Sequence, residues 1–388
     1  MTLRIAFWGF VVLSLVTLPA LGQLRPGEPA AVGMSSAGLD HVAAMLDSEV
    51  RQHGLDAASI LVARRGTVVL HKGFGHLSGQ AGAPAVEPDS VYVVGSITKT
   101  VTATAMMILV ERGQVSLNEK VSTYLPEFTG GERSKVRVIN LLTHTSGLPD
   151  QLPENNELRQ AHAPLSEFLK HTYTTPLLFA PGTAYSYQSM GILLAATIVE
   201  KLSGMSIQDF ERKEIFEPLG MTHTSLGTGK FRLADTVQVQ VGTETDMQAF
   251  RDWGPNSTYW RDLGNPWGAL HTTTTDLAIL LQTLLNGGTY GRKRLLGPMT
   301  VKAMLSDQNT HLNAPWGLGW RLGNSPGMNL GDLLSPRAFG HNGSPGTMEW
   351  ADPETQVICV VLSSRPLVVD NGLFLRLVSN AVVGSIEK

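Results

Sequence analysis

Gly95-Ser96-Ile97-Thr98-Lys99 opens a stretch that is apolar on every face from Ala103 to Val110 and ends at Gly113. A helix with no polar side to turn to water belongs in a core, and Gly113 can take the left-handed conformation after its last turn. Ser96 and Lys99 stand three residues apart, so their side chains face one way on consecutive turns. A serine hydroxyl is a weak nucleophile until a base takes its proton, and a lysine serves when burial or nearby charge lowers its pKa toward neutrality. Free N–H groups at the start of the helix suit a developing oxyanion. The pattern alone does not decide: Ser385-Ile386-Glu387-Lys388 repeats it by chance, and an N-cap serine beside a solvent-reaching lysine reads the same way.

Outward from that helix, strand-like runs collect at the two ends of the chain. Ser36 can cap an amphipathic helix to about Gln52, and Ser59 to Ala63 and Thr67 to Lys72 form a hairpin around Arg64-Arg65-Gly66. From Leu117 to about Ala269 the chain reads as helical pieces separated by Pro and Gly. β-type runs return at Gly317 to Leu322, Thr347 to Ala351 and Gln356 to Ser363, before a helix from about Asn371 to Val383. The pattern predicts an α+β fold: one antiparallel β-sheet flanked by terminal helices, with a large α-helical insertion domain. The expected division is 23–98 with 270–388 for the sheet domain and 99–269 for the insertion.

The chain has 388 residues, 43% of them hydrophobic and 16% charged, with 40 Gly, 21 Pro and a formal net charge of −3. That excludes collagen-like, disulfide-framework and wholly disordered chains, and the slightly acidic balance offers no footprint for nucleic acid. Residues 1–22 have the form of a secretory signal: Arg4, an apolar run from Ile5 to Leu18, then Ala20-Leu21-Gly22. The run is short for a bilayer span, and no later segment is expected to cross a membrane once the signal is removed. The single cysteine, Cys359, lies in an apolar strand-like run and permits no internal disulfide. The expectation is an exported protein, periplasmic or extracellular. Eleven His without a His-Glu-x-x-His or a close Cys/His group predict no zinc, and no cofactor is expected.

Two further segments carry polar chemistry. Pro181-Gly182-Thr183-Ala184-Tyr185-Ser186-Tyr187-Gln188-Ser189 is a turn entering a helix, and Tyr187 could move a proton beside an ammonium. Gly340-His341-Asn342-Gly343-Ser344-Pro345-Gly346 leads into a strand whose edge a substrate could follow. In order and spacing, Ser-x-x-Lys, a Tyr after Pro-Gly-Thr and a late His-x-Gly resemble the serine β-lactamase and penicillin-binding-protein superfamily, in the branch of class C β-lactamases, DD-peptidases and family VIII carboxylesterases. Leu141-Leu142-Thr143-His144-Thr145-Ser146-Gly147-Leu148-Pro149, Trp267-Gly268-Ala269-Leu270 and Trp316-Gly317-Leu318-Gly319-Trp320 are similar to further hallmarks of that branch.

The resemblance implies a β-lactamase/transpeptidase-like fold, Ser96 as acylated nucleophile, Lys99 as its base and Tyr187 as proton shuttle. It also implies an oxyanion hole from the backbone N–H groups of Ser96 and Ser344. Which of Lys99 and Tyr187 takes the first proton stays open. Ser189, His341, Gly343 and Ser344 are the implied substrate contacts. Two departures stand out. Ser189 replaces the usual asparagine of Tyr-x-Asn, and His341 replaces the lysine of Lys-Thr-Gly, the form that resembles the esterase-like members. The expected substrate is a small-molecule ester, with a β-lactam or short D-amino-acid peptide as alternative and a non-hydrolytic binding protein on the same scaffold as the third reading. Gly323-Asn324-Ser325-Pro326-Gly327 fits an α/β-hydrolase elbow in letters, but leaves no room for the helix that motif needs. Trp253, Trp260 and Trp267 could wall an apolar pocket or pack a core. Oligomeric state is not legible.

Overall fold

The computed structural model describes residues 22–327 and 329–388, so the signal segment expected at 1–22 lies outside the described residues except for Gly22. Seven strands form one sheet in the order Arg25–Pro26, Thr67–Gly75, Ala57–Arg64, Val357–Ser363, Thr347–Asp352, Phe339–Gly343, Arg321–Leu322. The fold is α+β, but the sheet is mixed rather than purely antiparallel. Arg25–Pro26 of the Pro/Gly leader pairs parallel to Thr67–Gly75, while every other neighbouring pair is antiparallel.

The central strands are buried along their whole length because both faces are covered. Alternate residues of Ala57–Arg64 and Val357–Ser363 point to opposite sides. Ile60, Val62, Cys359 and Val361 meet Leu39, Val42 and Leu46 of the N-terminal helix Ser36–Gln52 and Val378 and Val382 of the C-terminal helix Leu373–Gly384. Leu61, Ala63, Ile358 and Val360 face a larger core that includes helices Thr274–Leu285 and Thr98–Glu111. The latter helix also packs on Met190–Ser203, so the apolar segment Ala103 to Val110 joins the sheet to the helical region.

Two boundaries shift. The N-terminal helix is capped by Ser35, whose Oγ accepts from Gly38 N at 3.3 Å, and not by Ser36, which is already helical. The run Gly317 to Leu322 shortens to Arg321–Leu322. Its first half is a turn, with Gly317 N bonded to Trp320 O, Leu318 N to Met304 O and Gly319 N to Leu142 O, so those amides are taken before they can join a ladder. No single helix among the described residues is long and apolar enough to cross a membrane. The bent pair Met190–Ser203 and Ile207–Leu219, turned by 76°, has a suitable composition, but much of it packs in the core.

Candidate active site

Ser96 sits on a short 3-10 turn, Gly95–Ile97, that leads into the α-helix beginning at Thr98. Gly95 has φ +57°, and a Cβ there would lie 2.5 Å from Pro345 Cδ and 3.0 Å from Ser344 N. On the other side, a Cβ on Gly343 would lie 1.9 Å from the Val94 carbonyl oxygen, which instead accepts from Thr347 Oγ1 at 2.8 Å. Two bare glycines thus let the Gly343-Ser344-Pro345-Gly346 turn close onto the nucleophile turn. The amides of Ser96 and Ser344 bond to no backbone carbonyl among the described residues.

Lys99 is 1% exposed, and its Nζ donates to Ser96 Oγ at 2.8 Å and to the Trp267 carbonyl at 3.0 Å. The Trp267-Gly268-Ala269-Leu270 stretch is held there by Leu270 N, which donates to Thr98 Oγ1 at 3.0 Å. Burial lowers the Lys99 pKa to about 8, with the Asp150 carboxylate acting in the opposite direction. Its Nζ stands 4.9 Å from the centre of the Tyr187 ring.

Tyr187 is placed by the Thr143 to Pro149 loop. Gln188 is fully buried, accepts from Ser146 Oγ and donates through Nε2 to Asn140 O at 3.0 Å, while its N–H donates to His144 Nδ1 at 3.2 Å. That bond leaves the proton of neutral His144 on Nε2. The His144 ring, held at φ +59°, packs 4.6 Å from Tyr187 and 4.7 Å from Trp316, between centres. Burial pushes His144 well below its ordinary pKa, with Lys99 and Arg321 adding to the effect. Tyr187 Oη is buried with no hydrogen-bond partner among the described residues. Burial and the Asp150 charge raise its pKa. The nearby Ser96 hydroxyl pulls the other way, although it does not satisfy the phenol.

Ser96, Tyr187, Ser189 and Ser344 therefore line one cleft of about 680 Å³, with Lys99 directly behind Ser96. Ser189 Oγ is turned onto Asp150 Oδ1 at 2.6 Å. Gly343 and His341 do not line the cleft, whereas their neighbour Asn342 does. His341 is 1% exposed, its Nδ1 donates to Asn342 O at 2.6 Å, and its ring packs 5.9 Å from those of Tyr187 and Trp316. Its other nitrogen, Nε2, is buried without a partner. Burial, with Arg321 and Lys99 nearby, holds this imidazole neutral. His341 thus packs behind Tyr187, outside the lining of the cleft. Trp260 and Trp267 line the cleft and Trp253 does not.

Three charged residues of the cleft escape sequence reasoning: Asp150, Arg159 and Arg321. Arg321 is 6% exposed, packs on the Trp316 ring and donates to Pro326 O at 2.8 Å, yet its Nε has no partner and no carboxylate pairs with it among the described residues. Its position directly after Trp316-Gly317-Leu318-Gly319-Trp320 was the only available signal. Ser325 of the elbow-like motif is spent on turn bonds to Leu322 N and Pro315 O, and no helix follows it. No group of three metal-binding side chains occurs among the described residues.

A family model described as Beta-lactamase matches residues 42–374. The chain belongs to the β-lactamase family. It is a serine hydrolase of that family, whose members act on small ester, β-lactam or peptide substrates. It is 28% identical over 379 residues to a Salmonella agona protein that its name assigns provisionally to the D-alanyl-D-alanine carboxypeptidases, covering 88% of this chain and 86% of that protein. Among solved structures it is similar to a penicillin-binding protein homologue from Caulobacter crescentus, with TM-score 0.74, 24% identity and coverage of 91% and 99%. It is also similar to a family VIII carboxylesterase, with TM-score 0.70, 19% identity and coverage of 91% and 99%. These two likenesses concern the fold.

Proposed function

We propose that the chain hydrolyses carboxylic esters through an acyl-enzyme on Ser96. The observation that carries this reading is the 2.8 Å contact between Ser96 Oγ and a buried lysine whose pKa is brought down to about 8. Near neutral pH about a tenth of the enzyme then holds Lys99 as the free amine. Ser96 Oγ attacks the ester carbonyl while its proton passes to the free amine of Lys99, either directly or relayed by the Tyr187 phenol, which hands its own proton on. The carbonyl oxygen becomes an oxyanion between the amides of Ser96 and Ser344. Collapse expels the alkoxide, which takes the Tyr187 proton as Lys99 returns one to the phenol, leaving acyl-Ser96 and both groups neutral. Water then attacks the acyl carbon, gives its proton to the same pair, and releases acid and Ser96.

Esters are favoured because Ser189 offers a short hydroxyl already given to Asp150, where an amide would grip an acylamino side chain. His341 supplies no cation to the cleft. A second reading rests on Arg321, a buried guanidinium with no carboxylate partner among the described residues, which favours substrates bearing a carboxylate, such as a β-lactam or a D-amino-acid peptide. The signal-like segment at 1–22 and the curated relatives support export to the periplasm or beyond. The test is p-nitrophenyl acetate against nitrocefin and a D-Ala-D-Ala peptide. Ser96→Ala is expected to abolish ester turnover with an unchanged circular dichroism spectrum. Absence of both nitrophenol release and fluorophosphonate labelling of Ser96 in the wild type refutes the proposal, and much faster nitrocefin turnover reverses the two readings.

A further inference from the structure

The cleft has two unlike sides. On one, Arg321 packs on Trp316, and Trp316 packs on Tyr187, so cation and phenol lie together. On the other, Leu367 N donates to Ser344 O at 3.0 Å, hooking the turn Leu367–Val369 beside the second oxyanion amide. Gln240 N donates to Ser364 O at 2.7 Å, which lays Val239 and Val241 along the same segment. Val239 N donates in turn to Asn256 Oδ1 at 2.9 Å, which carries the wall on to Trp260. This side presents the apolar side chains of Leu367, Val368, Val239, Val241 and Trp260, the last with the Arg159 guanidinium 3.8 Å from its ring centre at the far end. Val368, which lines the cleft, is 89% exposed, and the next residue along the turn, Val369, is 66% exposed.

Adjacent aliphatic side chains left in water at the mouth of a catalytic cleft are unfavourable unless something apolar covers them. A departing alcohol must reach the proton on Tyr187, so it lies on the phenol and guanidinium side. The acyl half then points the other way, along Leu367 and Val368. We infer that this wall is the acyl site and that the preferred substrates are esters of medium- to long-chain aliphatic acids, whose chain runs from Ser344 out over the Leu367–Val369 ridge. The inference rests on the ester reading and adds to it the nature of the acyl group.

The experiment compares kcat/KM for p-nitrophenyl butyrate and octanoate, each as a monomer in solution. A fully buried methylene is worth about fourfold, and one half covered about twofold. The wild-type ratio of octanoate to butyrate is therefore expected to be roughly 16- to 250-fold over four methylenes. Val368→Asp, at an exposed position where folding is undisturbed, is expected to cut that ratio about tenfold, and Val368→Leu to keep it. Because each ratio is taken within one protein, a general loss of activity cancels. No turnover of either ester means the ester reading has failed. Turnover of butyrate with a ratio near one, or a ratio unchanged in Val368→Asp, overturns the acyl-site inference alone.

Discussion

Replacing Lys99 with Met tests whether the buried amine is a functional burden on the fold. Methionine keeps an unbranched apolar stem and removes the ammonium, which is 1% exposed and held by Ser96 Oγ and the Trp267 carbonyl. A pKa of about 8 in the fold, against 10.5 in the unfolded chain, means that the ammonium costs about 3 kcal/mol wherever it is charged in both states. The sign follows directly. The cost is complete below pH 8, shrinks as pH rises from 8, and is gone above about 10.5. Against this, the variant leaves the Trp267 carbonyl without its donor, a loss of about 1–3 kcal/mol that does not depend on pH. At pH 7 Lys99→Met is thus expected to be as stable as the wild type or up to about 2 kcal/mol more stable, while ester turnover falls by a factor of at least about 10². By pH 10 less than about 1 kcal/mol of the ammonium cost remains, so the difference should move by about 2–3 kcal/mol in favour of the wild type. Urea unfolding of both proteins at pH 7 and pH 10 measures this, and other titrating groups cancel between them. A stability difference that stays constant over that range refutes the claim that Lys99 is held with a depressed pKa.

Tyr187→Phe is expected to lower kcat for ester hydrolysis by about 10² to 10⁴, and to leave Ser96 labelling by a fluorophosphonate less affected, since fluoride needs less help to depart; wild-type turnover would reject the proton-transfer role. Glu349→Gln probes a second buried group. Thr100 Oγ1 donates to Ile97 O at 2.8 Å and reaches Glu349 Oε1 at 3.3 Å, while Glu349 Oε2 is buried with no partner among the described residues. Burial raises this carboxyl to about 8 from 4.5, so its cost is absent below pH 4.5, grows as pH rises and is complete above pH 8. Glu349→Gln should therefore gain up to about 4 kcal/mol on the wild type between pH 4.5 and pH 8, read by urea unfolding; no change with pH would show an ionised carboxylate.

What the sequence discloses follows the range of the interaction. The Ser96–Lys99 pair and the buried helix behind it are local, set by a spacing of three and a run of apolar residues, and they stand in the structure as read. Placing Tyr187 and Ser344 beside that pair took the order of distant motifs, because nothing local shows that His144 and Gln188 clamp one loop or that Gly95 and Gly343 let another approach. The burial of His341 was hidden for the same reason: a histidine after glycine reads as exposed until strand Phe339–Gly343 is seen to be buried throughout. Arg321 and Asp150 are ordinary charges in the sequence. Their interest lies in which charges are missing around them, and that is a property of the assembled cleft alone.

The apolar reading of the nucleophile helix also conceals how its depressed lysine is maintained. Thr98, Thr100, Thr102 and Thr104 are all fully buried along it. The hydroxyls of Thr98, Thr100 and Thr104 bond back to carbonyls three or four residues earlier, and that of Thr102 donates to Pro266 O at 2.8 Å. Two of these threonines meet carboxyl groups, Thr100 with Glu349 and Thr102 with Glu211, and burial raises both acids to about 8. An ionised carboxylate one residue along the helix from Lys99 would favour the ammonium and push its pKa back up. Each threonine hydroxyl reaches one carboxyl oxygen, but the second oxygen of each acid is buried with no partner among the described residues, and this burial favours the neutral acid. The same burial that brings Lys99 toward neutrality thus also favours the uncharged forms of the two acids on the threonines of its helix, and Asp150, which lines the cleft, is the carboxylate acting on the amine.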